Sequence, residues 1–502
     1  MSRTLEDNDN HTRTALGEQE PLIPTKKPKK PRTPLPKLQL SILLLIQVAE
    51  PITSQCIYPF INQLISELDI TGGDERKVGY YAGLIESLFS IAQAMTVLQW
   101  NRLSDRIGRK PVLLIGLMGL CGSMFAFGLS RTFMSLVISR CLNGILNGNI
   151  GIMKSMMGEL TDSTNMAQGF SMIPIVWCAG AAFGYNSPFM GGALARPHDR
   201  WPTVFSGSFW IKYPYFLPCA TASAFTACCF LVILIFLKET LPTKQKGKQI
   251  DNSTVESTFQ QEEILDGIIP SSSLSPSSDT ILQPPTPPSL RSLLIPSILI
   301  PVANYGTLAL VEIAMLALQP LFYSTPIELG GLGFSPSTIG TWMGLFGFVD
   351  GLFQVIFFAR VVERWGPKVL FMVSMGCFIP IFAIFPILSW VAGIWGVGMF
   401  VWFLLSCQLV LMVVLDMAYA CILMFVTSSA PSKLSLGAIN GLGQTTASVA
   451  RAIGPAMSTS LFAVSIQYNI LGGNGVYAFL LVLSCGALYL ASRLPDELQD
   501  RD

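Results

Sequence analysis

The sequence predicts an all-α membrane protein with twelve transmembrane helices arranged as two six-helix halves. Three observations carry this reading. Of 502 residues, 51% are hydrophobic and only 13% charged, against roughly 25% charged in a typical soluble domain. Mean hydropathy is +0.52, and a water-soluble fold of this size would need far more polar side chains to cover its core. The apolar residues also fall in runs near the roughly 20 residues that a helical span requires, and a Pro/Ser-rich stretch divides those runs six and six.

Taken in order, residues 1–37 form a polar tail carrying Lys26, Lys27, Lys29, Lys30 and Arg32. The first apolar run starts only near Leu38, so the tail reads as disordered and cytosolic rather than as a cleavable signal peptide. The predicted spans are 38–66, 78–100, 111–130, 133–157, 165–192, 213–237, 294–324, 336–359, 368–390, 394–427, 434–465 and 473–492. Residues 38–240 make the first half and 291–493 the second. Between them, 241–290 hold Pro270-Ser271-Ser272-Ser273 and Pro284-Pro285-Thr286-Pro287-Pro288, which cannot pack a core and read as a disordered cytosolic linker. Residues 494–502 are a short cytosolic C-terminal tail.

An even number of spans puts both ends on one side, and Lys and Arg say which. One set of loops carries the basic tail, Arg102, Arg106, Arg109, Lys110, Lys238, Lys244, Lys246, Lys248, Arg291, Arg360, Arg364, Lys368 and Lys433. The opposite set holds only Arg76, Lys77, Arg131, Arg196, Arg200 and Lys212. Both termini are therefore expected in the cytosol. The net charge of +1 implies no nucleic-acid partner. The 11 cysteines sit in apolar runs without CxxC spacing and read as packing residues, and the 2 histidines, His11 and His198, lie in a tail and a loop. Neither a metal site nor a cofactor is expected.

A partial repeat links the halves. Gly79, Gly83 and Gln93 in span 2 have the spacing of Gly340, Gly344 and Gln354 in span 8. Each set runs into a basic turn, Asp105-Arg106-Ile107-Gly108-Arg109-Lys110 and Glu363-Arg364-Trp365-Gly366-Pro367-Lys368.

Ionisable residues inside a bilayer are costly and usually face a cavity or another helix. Spans 3, 6, 9 and 12 contain none, so these four are expected outermost against lipid. Spans 1, 2, 4, 7, 8, 10 and 11 carry Glu50, Glu86, Arg140, Glu312, Asp350, Asp416 and Arg451, which would surround a polar interior passage. Glu50, before Pro51, and Asp416 lie near mid-span, where an ion pair and a proton-titrating or substrate-binding carboxyl are both open. Glu86 and Glu312 lie in outer halves, where snorkelling competes. Asp350 is equally open to a role in packing between the halves. Arg140 and Arg451 are the available counter-charges, with partners unassigned, and Lys154 is read as snorkelling to headgroups. A desolvated carboxyl can load a proton on one side and release it on the other. With no Walker loop, kinase set or serine-triad elbow, an enzyme or ATP-driven pump is not expected.

Asn101-Arg102-Leu103-Ser104-Asp105-Arg106-Ile107-Gly108-Arg109-Lys110 resembles the loop signature of the major facilitator superfamily between spans 2 and 3, G-x-L-x-D-R-x-G-R-K, with Asn101 at the first glycine. More of the chain is similar to the zinc-induced facilitator-like branch of the drug:proton antiporter group. The matching stretches are Glu50-Pro51-Ile52 with Tyr58-Pro59-Phe60, Arg140-Cys141-Leu142-Asn143-Gly144-Ile145-Leu146-Asn147-Gly148-Asn149, Lys212-Tyr213-Pro214-Tyr215-Phe216-Leu217-Pro218, and Asn440-Gly441-Leu442-Gly443-Gln444 with Arg451-Ala452-Ile453-Gly454-Pro455. Span 5 departs from the group's G-P-x-x-G-G, because Tyr185-Asn186-Ser187 separate Gly184 from Pro188. The resemblance implies the major facilitator fold and alternating access by rocking of the halves. It implies a gating charge cluster of Asp105, Arg106, Gly108 and Arg109 with Glu159 or Asp162, and Arg140 as an arginine tied to proton coupling.

The expected function is proton-coupled efflux of small organic solutes by a monomer embedded in lipid. A uniporter or symporter for uptake and a non-transporting solute sensor are the alternatives. Glu18-Gln19-Glu20-Pro21-Leu22-Ile23 resembles an acidic dileucine sorting signal, which leaves the plasma membrane and the vacuolar membrane as expected locations.

Overall fold

A computed structural model describes residues 33–68, 70, 75–162, 164–173, 176, 194–241 and 293–498. Residues 1–32 of the expected N-terminal tail, almost all of the linker and the Gly184–Pro188 region of span 5 lie outside these residues, while 33–36 are described and Lys37 already belongs to the first helix. Every regular element among the described residues is a helix. We label the main ones α1 (Lys37–Gln55), α2 (Tyr58–Glu67), α3 (Glu75–Ile107), α4 (Arg109–Gly128), α5 (Phe133–Leu146), α6 (Asn149–Leu160) and α7 (Phe216–Phe236) in the first half. The second half holds α8 (Pro296–Ser324), α9 (Pro336–Trp365), α10 (Pro367–Gly376), α11 (Phe378–Trp395), α12 (Met399–Ser428), α13 (Leu436–Gln467) and α14 (Gly475–Ser492).

These helices follow the predicted spans with three breaks. Span 1 is α1 and α2, span 4 is α5 and α6, span 9 is α10 and α11, and span 5 is described only over its first residues. Among the described residues, 8 helical segments qualify by length and composition as candidate bilayer spans. Large apolar side chains such as Met118, Phe348, Phe400 and Val482 are left exposed on the outside of the bundle, as lipid-facing positions require. The charge-free spans pack among themselves at the flanks: α7 lies against α4, and α14 lies against α10 and α11.

The break in span 4 has a visible cause and a consequence. Asn147 leaves helical geometry with ψ 69°, which frees carbonyls that must be satisfied inside a membrane. Span 2 does this. Thr96 Oγ1 and Trp100 Nε1 donate to the Ile145 carbonyl at 3.0 and 2.6 Å. Any side chain at Gly148 would strike Trp100, whose Cβ lies 2.4 Å and ring Cγ 2.6 Å from an ideal Cβ. The new course of α6 carries Lys154 inward, contrary to the snorkelling reading. It is buried, and its Nζ donates to Tyr305 Oη and Gln444 Oε1, both at 2.8 Å.

The internal repeat is visible in backbone geometry. Gly108 and Gly366 both sit at the turn after the long helix, with φ 110°, ψ 158° and φ 80°, ψ 155°. Only glycine adopts such angles readily.

The two halves meet along the inner end of the bundle, the end that carries the start of α1 and the close of α14. Gly437 N and Ala438 N donate to Asp105, Asn440 Nδ2 to Ser155 Oγ, and Ser448 Oγ to Gln93 Oε1. Together with Gln444, these α13 residues run from 437 to 448, about 17 Å of a helix at about 1.5 Å per residue. The seam described by these bonds closes the bundle at this end.

The superfamily glycine replaced by Asn101 is not needed for this approach, because the partners supply glycines instead. An ideal Cβ on Gly441 would lie 2.8 Å from Asn101 Cβ, and one on Gly151 would lie 2.4 Å from Asn101 Nδ2. On Gly437 it would lie 2.3 Å from Asp105 Oδ1 and 2.6 Å from the Asn101 carbonyl. Gly437→Ala is therefore expected to cost the closed state about 1–3 kcal/mol of overpacking, a shift of roughly one to two orders of magnitude toward an open inner end. Spin-label distances between exposed Arg106 and Lys433, each replaced by cysteine, would measure it. An unchanged distance distribution would overturn the expectation.

Candidate functional site

Among the described residues, charged side chains gather in the middle of the apolar bundle and at its inner end. The first is a cavity of about 190 Å³ at the seam of the halves. Its lining comes from spans 1, 4, 5, 7, 8, 10 and 11, and none of it from the charge-free spans 3, 6, 9 and 12. Four of its side chains are carboxyls, Glu50, Glu312, Asp350 and Asp416, and two are cations, Lys154 and Arg451. Apolar side chains such as Ile150, Ile173, Ile313, Leu316 and Leu423 complete the wall.

Each carboxyl is held differently. Glu50 precedes the α1 proline and accepts from Asn147 Nδ2 at 3.0 Å, so the break in span 4 fixes a carboxyl in span 1. Glu312 on α8 accepts a short hydrogen bond from the Tyr419 hydroxyl on α12. Asp350 on α9 accepts from Gln354 Nε2 at 3.2 Å, one turn along the same helix. Asp416 on α12 is hydrogen-bonded to Asp350 and lies in the field of Glu312. A bond between two carboxyl groups needs a proton on one of them, since an ionised carboxylate has no donor. On α13, Arg451 sets its charge against Glu50 and Glu312, so this one guanidinium serves acids from both halves.

The sequence-predicted residues therefore divide. Glu50, Glu312, Asp350, Asp416 and Arg451 come together at the cavity. Arg140 does not line it. Its guanidinium carbon lies 4.5 Å from the Phe89 ring centroid, and its charge acts on Cys56 and Cys219. The Glu86 side chain lies outside the described ones. Sequence reasoning missed Lys154, Tyr305, Tyr419 and Gln444. The available signal was a set of hydrogen-bonding side chains in the middle of otherwise apolar runs.

The second site closes the inner end. Arg109 is fully buried and bridges Asp105 at 2.6 Å and Glu159 at 2.8 Å. Its Nη1 also donates to Ser104 Oγ at 2.7 Å. Asp105 faces the N-terminus of α13, where the first N–H groups of a helix favour an anion. Glu239, unforeseen from sequence, accepts from Arg109 N at 2.9 Å and Lys110 N at 3.1 Å, and so satisfies the start of α4. Thr240 adds a short hydrogen bond to Glu159. Gly108 gives the turn its positive φ, and an ideal Cβ there would lie 2.6 Å from Glu239 Oε2.

Two charges that the resemblance assigns to this cluster lie elsewhere. Arg106 is exposed, because one residue along a helix turns the side chain by about 100° away from Asp105. Asp162 lies beyond the end of α6 and binds Thr33, Thr164 and Asn165 rather than Arg109. Of the two acids offered as Arg109's partner, the contact is made by Glu159.

Two helical halves that meet over a charged cavity and lock at one end define a multi-pass membrane transporter. The chain matches the Major Facilitator Superfamily profile over residues 43–455 and belongs to that family. It is 30% identical to the efflux pump azaK of Aspergillus niger, over 91% of this chain and 87% of that protein. Protein ZINC INDUCED FACILITATOR 1 of Arabidopsis thaliana is 28% identical over 90% of each chain. The fold is that of the human organic anion transporter MFSD10, with a TM-score of 0.61 at 19% identity, covering 91% of this chain and 100% of that one.

Proposed function

We propose that the protein exports small organic solutes in exchange for protons, by rocking its two halves about the central cavity. The observation that carries this reading is the carboxyl pair Asp416–Asp350, hydrogen-bonded inside a cavity whose four acids face two cations. Such a site holds a proton while closed and can release it when water enters. Its apolar walls suit an organic solute better than a bare ion. The resemblance to an efflux pump supports the outward direction. In this reading the protein acts as a monomer, with both termini cytosolic, in a plasma or vacuolar membrane.

The test is flux in proteoliposomes with an imposed pH gradient, across a panel of organic cations, anions and metal chelators. Solute movement that follows the gradient and acidifies or alkalinises the lumen in step supports antiport. Flux indifferent to the gradient would make the protein a uniporter. Binding without flux would make it a sensor.

A further inference from the structure

The inner face carries a second polar contact, unconnected with the cavity. Thr33, in the irregular segment before α1, is exposed and docks on the turn between α6 and span 5. Its N–H donates to Thr164 Oγ1 at 3.1 Å, and its hydroxyl donates to Asp162 Oδ2 in a short hydrogen bond. Asn165 Nδ2 donates to the Thr33 carbonyl at 3.2 Å and to its Oγ1 at 3.0 Å. The same Asp162 accepts from Thr164 N at 2.8 Å and Asn165 N at 3.2 Å, which caps the start of span 5. One threonine thus ties the chain before α1 to the cap of another helix, three residues beyond Glu159 of the gate.

Around Thr33 the sequence reads Lys29-Lys30-Pro31-Arg32-Thr33-Pro34. An exposed threonine followed by proline, with cations before it, has the chemistry that proline-directed protein kinases accept. We propose that Thr33 is a phosphorylation site and that its phosphate keeps the strap off the Asp162 turn. The inference rests on the cytosolic placement of the N-terminus in the reading above. In the reaction, Thr33 Oγ1 attacks the γ-phosphorus of ATP, the bond to ADP breaks, and the hydroxyl proton passes to the kinase base.

The electrostatics give the sign. Burial pushes the Asp162 carboxyl up, but hydrogen bonds from Thr164, Thr33 and Asn165 outweigh it and hold the group below the ordinary carboxylate range. Asp162 is thus ionised at neutral pH. Phosphorylation removes the hydroxyl donor and sets a group of charge about −1.5 to −2 against that carboxylate. Lys37, four residues further along the chain, offers the phosphate a cation on its own side. The kinase captures Thr33 when the strap lifts, and the phosphate then prevents re-docking.

The experiment uses the full chain in lipid nanodiscs, a proline-directed kinase and ATP, with phosphate located by mass spectrometry and backbone release followed by hydrogen–deuterium exchange. Thr33 is expected to be modified in the wild type and in Asp162→Asn, but not in Pro34→Ala. Exchange over residues 33–40 and 161–170 is expected to rise several-fold on phosphorylation of the wild type. It should change little in Asp162→Asn, where the hydroxyl's ionised partner is already gone. No phosphate on Thr33, while a peptide of residues 26–40 is fully modified, would overturn the proposal. So would phosphate without faster exchange, or an equal response in Asp162→Asn. Because no solute is involved, the result stands apart from any failure of the transport assay.

Discussion

Replacing Arg109 by alanine is expected to shift the inner end toward its open form by about two to three orders of magnitude. Among the described residues, Arg109 is the cation that meets the Asp105–Glu159 cluster, at 2.6 and 2.8 Å with both acids buried. Removing one partner of a buried ion pair typically costs about 3–5 kcal/mol, because the remaining charges stay desolvated and unpaired. Opening the halves to water relieves that cost, so the penalty falls on the closed state. Asp105 would still accept from Gly437 N and Ala438 N, which argues against complete loss of the contact. Spin-label distances between positions 106 and 433 should lengthen, and net transport should fall with the lost ability to close. Arg109→Lys keeps the charge but cannot reach both acids with the planar fork, so partial recovery is expected. A variant that still closes and transports normally would show that the seam is held by α13 packing alone.

How much of this was legible in the chain follows from the range of each interaction. The span pattern was readable because lipid imposes one demand on every outward residue, and 13% charge cannot satisfy water over 502 residues. The cavity acids were readable because a carboxyl in an apolar run has few places to go. The gate was readable in part, since Asp105 and Arg109 lie one helical turn apart across Gly108. Partner choice was not readable. Whether Arg451 or Arg140 meets Glu50 depends on the rotation of three helices, and a shift of one residue turns a side chain by about 100°. The inward turn of Lys154 depends on the break at Asn147, whose freed carbonyls are satisfied by Thr96 and Trp100, about fifty positions away in sequence. Glu239 closes the gate from a helix end on the far side of the half, where no local pattern marks it.

The same geometry separates two roles that the alternating-access scheme asks of buried charge. Arg109 acts where the halves touch and governs whether the inner end is shut. The carboxyls act where the halves enclose space, and their protonation can change only when that space is wetted. Arg451 links the two, because its single charge answers Glu50 from the first half and Glu312 from the second. In the proposed antiport, a proton on either acid would weaken one side of that balance, which would couple titration in the cavity to the seam.

Asp416→Asn is accordingly expected to abolish solute accumulation driven by a pH gradient while sparing exchange at equilibrium. Asp416 touches Asp350, and Glu312 lies within its field, so the trio cannot ionise together without strong repulsion. Asparagine preserves the shape and offers Asp350 a permanent donor, mimicking the protonated carboxyl. The site then no longer cycles, although the halves can still close over solute. With one proton per solute, a gradient of one pH unit supports about tenfold accumulation, since each unit is worth about 1.36 kcal/mol. The variant should bring that ratio to one in proteoliposomes and leave counterflow of labelled solute within a few-fold of the parent. Glu50→Gln provides the contrast. Glu50 is held by Asn147 and faces Arg451, so its loss unbalances the seam and should slow exchange and accumulation together. If Asp416→Asn still concentrates solute tenfold against the gradient, the proton is carried elsewhere, and the Asp416–Asp350 pair is a structural contact within the second half.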